Sequence, residues 1–123
     1  MTIDSNIVIA FLAGEEGVVS ALSEWKKAGR PLLLSTIAEA EVLGFPGFTH
    51  EERERTGRFI AENFVSVACD RFIAHQAAIL RGTIKIALPD AIIAATALAT
   101  GTPLITRNVR DFKSVGGLEI IRL

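Results

Sequence analysis

Residues 88–106 read LPDAIIAATALATGTPLIT and predict a buried helix followed directly by a buried strand. Asp90 and the proline before it suit the first turn of a helix, because proline needs no backbone N–H there and the helix dipole favours a negative charge. Residues 91–100 are apolar on every side, which is typical of a helix inside a hydrophobic core. Gly101 ends the helix, and residues 103–106 form the strand.

Shorter strands and helices alternate along the rest of the chain. Apolar or alternating runs predict strands at 2–3, 32–34, 64–67 and 118–121. One-sided apolar spacing and capping residues predict helices around Val18, Leu22 and Trp25, across 37–43, from Thr49 to about Asn63, and from Asp70 to near Gly82. The apolar run 7–12 is too short for periodicity to decide between a longer first strand and a helix.

This alternation predicts a single α/β domain over residues 1–123, with three α/β/α layers and a mainly parallel central sheet. A chain of this length fits one compact domain. In such folds, functional sites form at the carboxyl ends of the strands. Asp4, residues 35–36 and residues 106–111 each follow a predicted strand, so we expect them to meet at one edge of the sheet.

Composition narrows the class of protein. Hydrophobic residues make up 50% of the chain and the mean hydropathy is +0.40, so part of the apolar surface is expected at a subunit or partner interface. No apolar run approaches the roughly 20 residues of a membrane span, and the single cysteine excludes an intrachain disulfide. A cytoplasmic protein is the simplest interpretation. The net charge of -1 does not by itself indicate a nucleic-acid binder.

Four acids occupy places where solvation is poor or where a strand ends. Asp4 ends the first strand, Glu41 lies on the helix after the second strand, Asp90 begins the buried helix, and Asp111 follows the strand that ends at Thr106. An isolated carboxylate beside apolar residues costs several kcal/mol. Several carboxylates facing one cavity are tolerated best with a cation between them, and an all-oxygen set suits Mg²⁺ or Mn²⁺.

Each acid also fits a purely structural role. Asp4, followed by serine and asparagine, suits a turn, because all three side chains hydrogen-bond their own backbone. Asp90 suits a helix N-terminus without any ligand. Glu41, like its neighbour Glu39, and Asp111 suit an exposed surface. The shared sheet edge favours one metal site over four unrelated roles.

Four blocks of sequence, in order along the chain, resemble a known family. They are Ile3-Asp4-Ser5-Asn6, STIAEAEVLG at 35–44, LPDAIIAATA at 88–97, and LITRN at 104–108 with Asp111-Phe112. Together they resemble the PIN domain, and more narrowly the toxin ribonucleases of the VapC type. In the second block the resemblance selects Glu41 over Glu39. Many relatives carry an acid where Asn108 stands, so the fourth position belongs either to Asp111 or to Asn108 as an amide partner.

The resemblance implies an endoribonuclease that hydrolyses RNA phosphodiester bonds with Mg²⁺ or Mn²⁺. Asp4 and Asp90 would bind the metal, and Glu41 would orient or deprotonate the attacking water or hold a second ion. The implied reaction is in-line attack that leaves a 5′-phosphate and a 3′-hydroxyl. The side chains that would position water and phosphate are Asp111, Thr106, Asn108 and, in support, Asn6.

Basic residues near the predicted site are candidates for contact with RNA phosphates. They are Arg107 and Arg110 in the loop after the strand, and Arg81 and Lys85 before the buried helix. An ordinary solvated surface is the alternative for all of them. No pattern of aromatic and basic residues indicates a platform for sequence-specific binding of single strands.

The resemblance also implies protein partners, namely a small cognate antitoxin and a second copy of the chain in a homodimer. The antitoxin of a type II toxin–antitoxin pair would cover the run Phe45-Pro46-Gly47-Phe48 and block the site. The run could instead fold back into the core, and we expect this second arrangement.

Two other functions stay open. One is a housekeeping PIN nuclease of RNA processing, and the other is a non-catalytic α/β binding module, although no glycine motif for nucleotide binding is present.

Overall fold

Five short strands form one sheet at the centre of the molecule. The computed structural model describes all residues from 1 to 123. The strands are β1 (Thr2–Ile3), β2 (Leu33–Ser35), β3 (Val65–Val67), β4 (Leu104–Thr106) and β5 (Ile120–Arg122). Their order across the sheet is β3-β2-β1-β4-β5, and every neighbouring pair runs parallel. The predicted α/β class with a parallel sheet is therefore confirmed.

Seven helices connect the strands. They are α1 (Ser5–Leu12), α2 (Glu16–Lys27), α3 (Thr36–Leu43), α4 (His50–Asn63), α5 (Arg71–Thr83), α6 (Leu88–Thr100) and α7 (Val109–Phe112). No single helix is long and apolar enough to cross a membrane. Only α1 and α2 taken together reach the necessary length and composition, and these two helices meet at a bend of 107°.

Helix α6 lies inside the core, as its composition predicts. Ala91 and residues 93–97 are buried, and the helix contacts α5, α3 and the strands β1 and β2. The buried hydroxyl of Thr96 donates a hydrogen bond to the Ile92 carbonyl at 2.8 Å, so the one polar side chain in this stretch is satisfied. Leu98, near the end of the helix, is 38% exposed, so burial is complete only at the centre.

The run 7–12, which periodicity left undecided, belongs to helix α1. Asp4 is the N-cap of this helix, and its extended backbone (φ −77°, ψ 155°) follows directly from β1. Its carboxylate accepts a hydrogen bond from the Ser5 N–H, which would otherwise have no partner in the first turn. The strand therefore ends after two residues, and Asp4 stands at the junction of strand and helix.

Three predicted helix caps are confirmed. The Ser35 hydroxyl accepts a backbone N–H at 3.3 Å at the start of α3. Thr49 and Glu52 form a reciprocal capping box at the start of α4. Asp70 accepts a backbone N–H at 2.9 Å at the start of α5. Each such bond stabilises its helix by about 1 kcal/mol, and the Ser35 cap begins the helix that carries Glu41.

Several boundaries differ from the prediction by one or two residues. The last strand spans Ile120–Arg122 rather than 118–121, and Gly117, three residues before it, has a φ of +77° and turns the chain. Such a left-handed backbone is readily adopted only by glycine. Helix α6 begins at Leu88, and Asp90 lies within its first turn, as predicted. The position of Asp90 is therefore set by a helix on a rigid core and not by a loop.

Candidate active site

Asp4 is a buried carboxylate that donors from three residues hold in place. Its Oδ1 accepts the Ser5 N–H at 2.8 Å. Its Oδ2 accepts the Thr106 hydroxyl at 2.6 Å and the Asn6 side-chain amide at 3.2 Å. Burial raises the pKa of Asp4, which is only 3% exposed, although the bonds from Thr106 and Ser5 act in the opposite direction. The result is a fixed and poorly solvated acid at the carboxyl edge of the sheet.

The Thr106 hydroxyl connects the ends of β1 and β4. Besides donating to Asp4, it accepts hydrogen bonds from the Asn6 amide at 3.4 Å and from the backbone N–H of Asn108 at 3.0 Å. Asn6 and Thr106, both predicted as supporting residues, thus contact Asp4 directly. Asn108 contacts this network through its backbone, and the residue itself is exposed. The predicted meeting of the first and fourth strand ends is therefore observed.

Glu41 lies on α3, close enough to Asp4 for the two charges to interact. Burial raises the pKa of Glu41, and the charge of Asp4 raises it further. The Ser5 hydroxyl acts in the opposite direction on both acids, because it stabilises their ionised forms. Ser5 therefore serves both carboxylates. Sequence reasoning gave it no role, although its place directly after Asp4 in the first sequence block was a signal.

Asp90 is the acid most affected by its surroundings. Its pKa is raised from 3.8 to about 6, by burial first and then by the charges of the three other acids. No hydrogen-bond donor counters this effect. Asp111, exposed on the short helix α7, also raises the pKa of Asp4. We call Asp4, Glu41, Asp90 and Asp111 the acidic cluster, because the fold brings these four acids together from four separate elements.

A polar cavity of about 630 Å³ opens beside two members of the acidic cluster, Asp90 and Asp111. Three basic residues line it, namely Arg81 and Lys85 from the end of α5 and the following loop, and Arg110 from α7. Three of the four basic residues that the sequence singled out therefore share one cavity with two of the acids. We call this space the basic cavity.

Arg107, the fourth basic candidate, lies outside the basic cavity. Its guanidinium forms an ion pair with Glu15, and its Nε donates to the Leu123 carbonyl at 3.3 Å. Its backbone N–H donates to the Asn6 side-chain oxygen at 3.4 Å. These contacts connect the loop after β4 to the turn between α1 and α2 and to the end of the chain. A contact of Arg107 with RNA stays a prediction, and Glu15 had no signal in the sequence.

The sequence profile of the PIN domain matches residues 1–118, which is almost the whole chain. This chain belongs to the PIN domain family. The resemblance carried by the four sequence blocks is therefore confirmed. The roles of the individual acids stay predictions at this point.

Known relatives of this PIN domain match it over nearly its full length. Ribonuclease VapC1 of Rickettsia felis is 28% identical, and the match covers 98% of this chain and 94% of the relative. A chain of a toxin–antitoxin complex from Klebsiella pneumoniae is 32% identical, with a TM-score of 0.79 and coverage of 98% and 94% of the two chains. The structure of VapBC2 from Rickettsia felis bound to a promoter DNA fragment gives a TM-score of 0.85 at 19% identity, covering 99% and 97%, and supports the fold alone.

The acidic cluster of this PIN domain has the donor chemistry of a site for a hard divalent cation. All its donors are carboxylate oxygens, which Mg²⁺ and Mn²⁺ prefer, and a cation would relieve the repulsion that raises the pKa of Asp90. No three of the carboxylates converge on one point as the side chains now stand. Asp4 is fixed by its hydrogen bonds, whereas Glu41 and Asp111 are exposed, with solvent around their side chains. The residues fit a cation once these two side chains turn inward.

The run 45–48 of this PIN domain does not fold back into the core, so that expectation is wrong. Phe45 is 56% exposed, and its ring packs edge-on against Phe48 with 5.2 Å between the ring centroids. The ring also covers Gly47 so closely that a Cβ there would lie 2.5 Å from it. Because the run packs on itself, it stays at the surface. An apolar cavity of about 440 Å³ separates it from α1 and reaches Glu41.

Proposed function

We propose that this PIN domain is a divalent-metal-dependent endoribonuclease and acts as the toxin of a toxin–antitoxin pair. The observation that carries the proposal is the acidic cluster, in which burial first and then crowding by like charges raise the pKa of Asp90 to about 6. Such crowding destabilises a protein unless a cation is bound, so its presence at the carboxyl edge of the sheet indicates a metal site. The similarity to a ribonuclease over 98% of the chain supports RNA as the substrate.

Asp4 and Asp90 would hold Mg²⁺ or Mn²⁺ in this mechanism, with Glu41 as a third ligand or as the ligand of a second ion. A bound divalent cation supplies an activated water and neutralises negative charge on the phosphate in the transition state. The hydrogen bonds from Thr106 and Asn6 keep Asp4 in one orientation. Asp4 therefore needs no reorganisation when substrate arrives, which lowers the barrier to reaction.

Glu41 is the side chain best placed to accept a proton from the attacking water. It is exposed, and it lies close enough to Asp4 for the two charges to interact, so it can reach a water held at the acidic cluster when it does not itself bind the metal. The water proton passes to Glu41 as the new oxygen–phosphorus bond forms in line with the bond that breaks. The bond between phosphorus and O3′ breaks and the leaving O3′ takes a proton from solvent water, which leaves a 5′-phosphate and a 3′-hydroxyl on the RNA.

We assign the fourth position of the site to Asp111 and not to Asn108. Asp111 raises the pKa of Asp4 and of Asp90, whereas Asn108 supplies a backbone N–H to Thr106. We therefore expect Asp111→Asn to lower the turnover of RNA by roughly tenfold or more, because a carboxylate that would help to hold the cation is lost, and Asn108→Ala to lower it much less. Steady-state cleavage rates of the two purified variants provide the measurement. A larger loss in Asn108→Ala would reverse the assignment.

The partner that we propose for this enzyme is a small antitoxin protein. Relatives of known structure include a chain of a toxin–antitoxin complex at 32% identity. The apolar cavity between α1 and the run 45–48 adjoins Glu41, so a protein segment seated there also reaches the acidic cluster. A segment with apolar residues for the cavity and a basic side chain for the carboxylates would block the site. The homodimer stays a prediction.

Cleavage of RNA by the purified wild-type chain tests the proposed function. We expect no cleavage in the presence of a chelator, and cleavage to products with 5′-phosphate and 3′-hydroxyl ends after Mg²⁺ or Mn²⁺ is added in excess. The end groups are identified by mass spectrometry. Cleavage that persists in chelator, or products with 2′,3′-cyclic phosphate ends, would count against the mechanism. A folded protein that cuts no RNA with either ion would refute the ribonuclease assignment.

A further inference from the structure

The basic cavity differs from the rest of the site in its charge. Arg81, Lys85 and Arg110 line it together with Asp90, Asp111 and Ser114. The salt bridges of the structure join His50 to Glu54 and Arg107 to Glu15, so none of the three cations in the cavity is paired with a carboxylate. Three exposed and unpaired cations around one space attract an anionic ligand.

The lining of the basic cavity suits a nucleic-acid backbone better than a base. Its only apolar residues are Ile86 and Ala87, so no aromatic ring is available for a base to stack on. Arginine and lysine side chains contact phosphate oxygens through charge-assisted hydrogen bonds, which carry no sequence information. The cavity volume of about 630 Å³ is within the range of sites that enclose part of a ligand.

The apolar cavity beside Glu41, at another member of the acidic cluster, offers no such contact. The cavity next to Glu41 is bounded by apolar residues of α1 and of the run 45–48, and it contains no basic residue. A phosphate there would lose hydration without gaining a charged partner. The two cavities that adjoin the cluster are therefore chemically different. We call the side with the basic cavity the cationic flank and the side with the apolar cavity the apolar flank.

We infer that the enzyme binds its RNA asymmetrically, with the phosphates on one side of the scissile bond held by Arg81, Lys85 and Arg110, and those on the other side left free of ionic contact. This inference rests on the proposed function, since it places the substrate of that same site. Binding on the cationic flank brings the scissile phosphate to Asp90 and Asp111, which line the same cavity. Selection of the strand then depends on its flexible backbone and not on its bases.

This asymmetry is tested by replacing one charged phosphate of the substrate at a time with an uncharged methylphosphonate. An RNA oligonucleotide that the wild type cuts at one mapped bond is synthesised with one methylphosphonate at each flanking position in turn. We expect cleavage to fall about tenfold or more for one or two adjacent positions on one flank, because each loses a hydrogen bond to a charged side chain, and to change less than about twofold on the other flank. Equal sensitivity on both flanks would overturn the inference.

Charge-matched variants connect the sensitive flank to the basic cavity. In Arg81→Gln and in Lys85→Gln we expect slower cleavage of the unmodified RNA. We also expect the methylphosphonate to lower the cleavage rate less than it does in the wild type, because the contact to that phosphate is already lost. Arg30→Gln is the control, because Arg30 carries the same charge but lies beside the amino terminus, at the opposite edge of the sheet. A methylphosphonate penalty that is the same in Arg81→Gln as in Arg30→Gln would overturn the inference.

RNA binding by a variant that is expected not to cleave RNA tests this inference separately from the proposed function. The Asp4→Asn protein is titrated with a fluorescent single-stranded RNA in Mg²⁺ at several salt concentrations. Adding Arg81→Gln should weaken binding and lower the slope of log affinity against log salt by about 0.7, whereas adding Arg30→Gln should do neither. An unchanged slope rejects the phosphate contacts even if the wild type cuts RNA. A wild type that cuts no RNA rejects the proposed function even if the slope changes.

Discussion

Asp90→Asn is expected to lower metal-dependent RNA cleavage at least about a hundredfold, because a ligand of the metal is lost together with several kcal/mol of transition-state stabilisation. The side chain keeps its size, and no hydrogen bond to the carboxylate is broken, so the fold should persist. The rate constant is measured at saturating Mg²⁺ or Mn²⁺ for purified proteins of equal folded content. Full activity in Asp90→Asn would refute the proposed mechanism.

Asp70→Asn is the matched control for this experiment. It makes the same change of charge and shape on a residue that caps α5, and asparagine caps helices about as well as aspartate. We expect this variant to retain wild-type activity within about twofold, since Asp70 takes no part in the acidic cluster. A similar loss in both variants would mean that the effect of Asp90→Asn is a general loss of stability or charge and not the loss of a metal ligand.

A second large effect is expected in stability: the metal-free protein should become less stable as the pH rises from 4 towards 7. The pKa of Asp90 is about 6 in the folded protein and 3.8 as an ordinary carboxyl group, so the folded state binds more protons between these values. The free energy of unfolding therefore falls as pH rises through this window. After solvent screening, Asp90 contributes about 1 kcal/mol to this loss. The raised pKa values of Asp4 and Glu41 act in the same direction.

Metal should restore the stability that is lost at neutral pH. A ligand that binds only the folded state adds about 2.7 kcal/mol at a hundred times its Kd, which corresponds to several degrees in Tm. Thermal melts of the wild type and of Asp90→Asn, at pH 5 and at pH 7.5, with chelator and with Mg²⁺, measure both effects. We expect the variant to be more stable than the wild type in chelator at pH 7.5 and to gain less from Mg²⁺. A wild type indifferent to metal, together with a less stable variant, would reject the shared site.

The buried helix α6 and the strand β4 could be predicted from sequence because their apolar composition leaves them only one environment. The start of α1 could not be predicted, since the six apolar residues 7–12 fit a strand or a helix equally well. The choice depends on Asp4, whose carboxylate caps the helix and stops the strand. The run 45–48 was misjudged for a related reason. Two phenylalanines predict burial, but here they pack on each other over Gly47 at the surface.

The candidate site was predictable in part, because parallel strands place their carboxyl ends at one edge. Asp4 and Thr106 are 102 residues apart in sequence and share a hydrogen bond of 2.6 Å, as that topology requires. The ion pair between Arg107 and Glu15 had no comparable signal, because it depends on where two loops meet. The separation of the cationic flank from the apolar flank likewise requires the positions of side chains in space.

The central claim is that the acidic cluster binds the divalent cation that the enzyme uses. Anomalous X-ray scattering from crystals grown with Mn²⁺ locates the ion directly. We expect one strong peak within coordinating distance of the Asp4 and Asp90 carboxylates, with Glu41 or Asp111 turned towards it, and no peak at this place in crystals of Asp90→Asn. Anomalous density confined to other parts of the surface, or an unchanged peak in the variant, would contradict the claim.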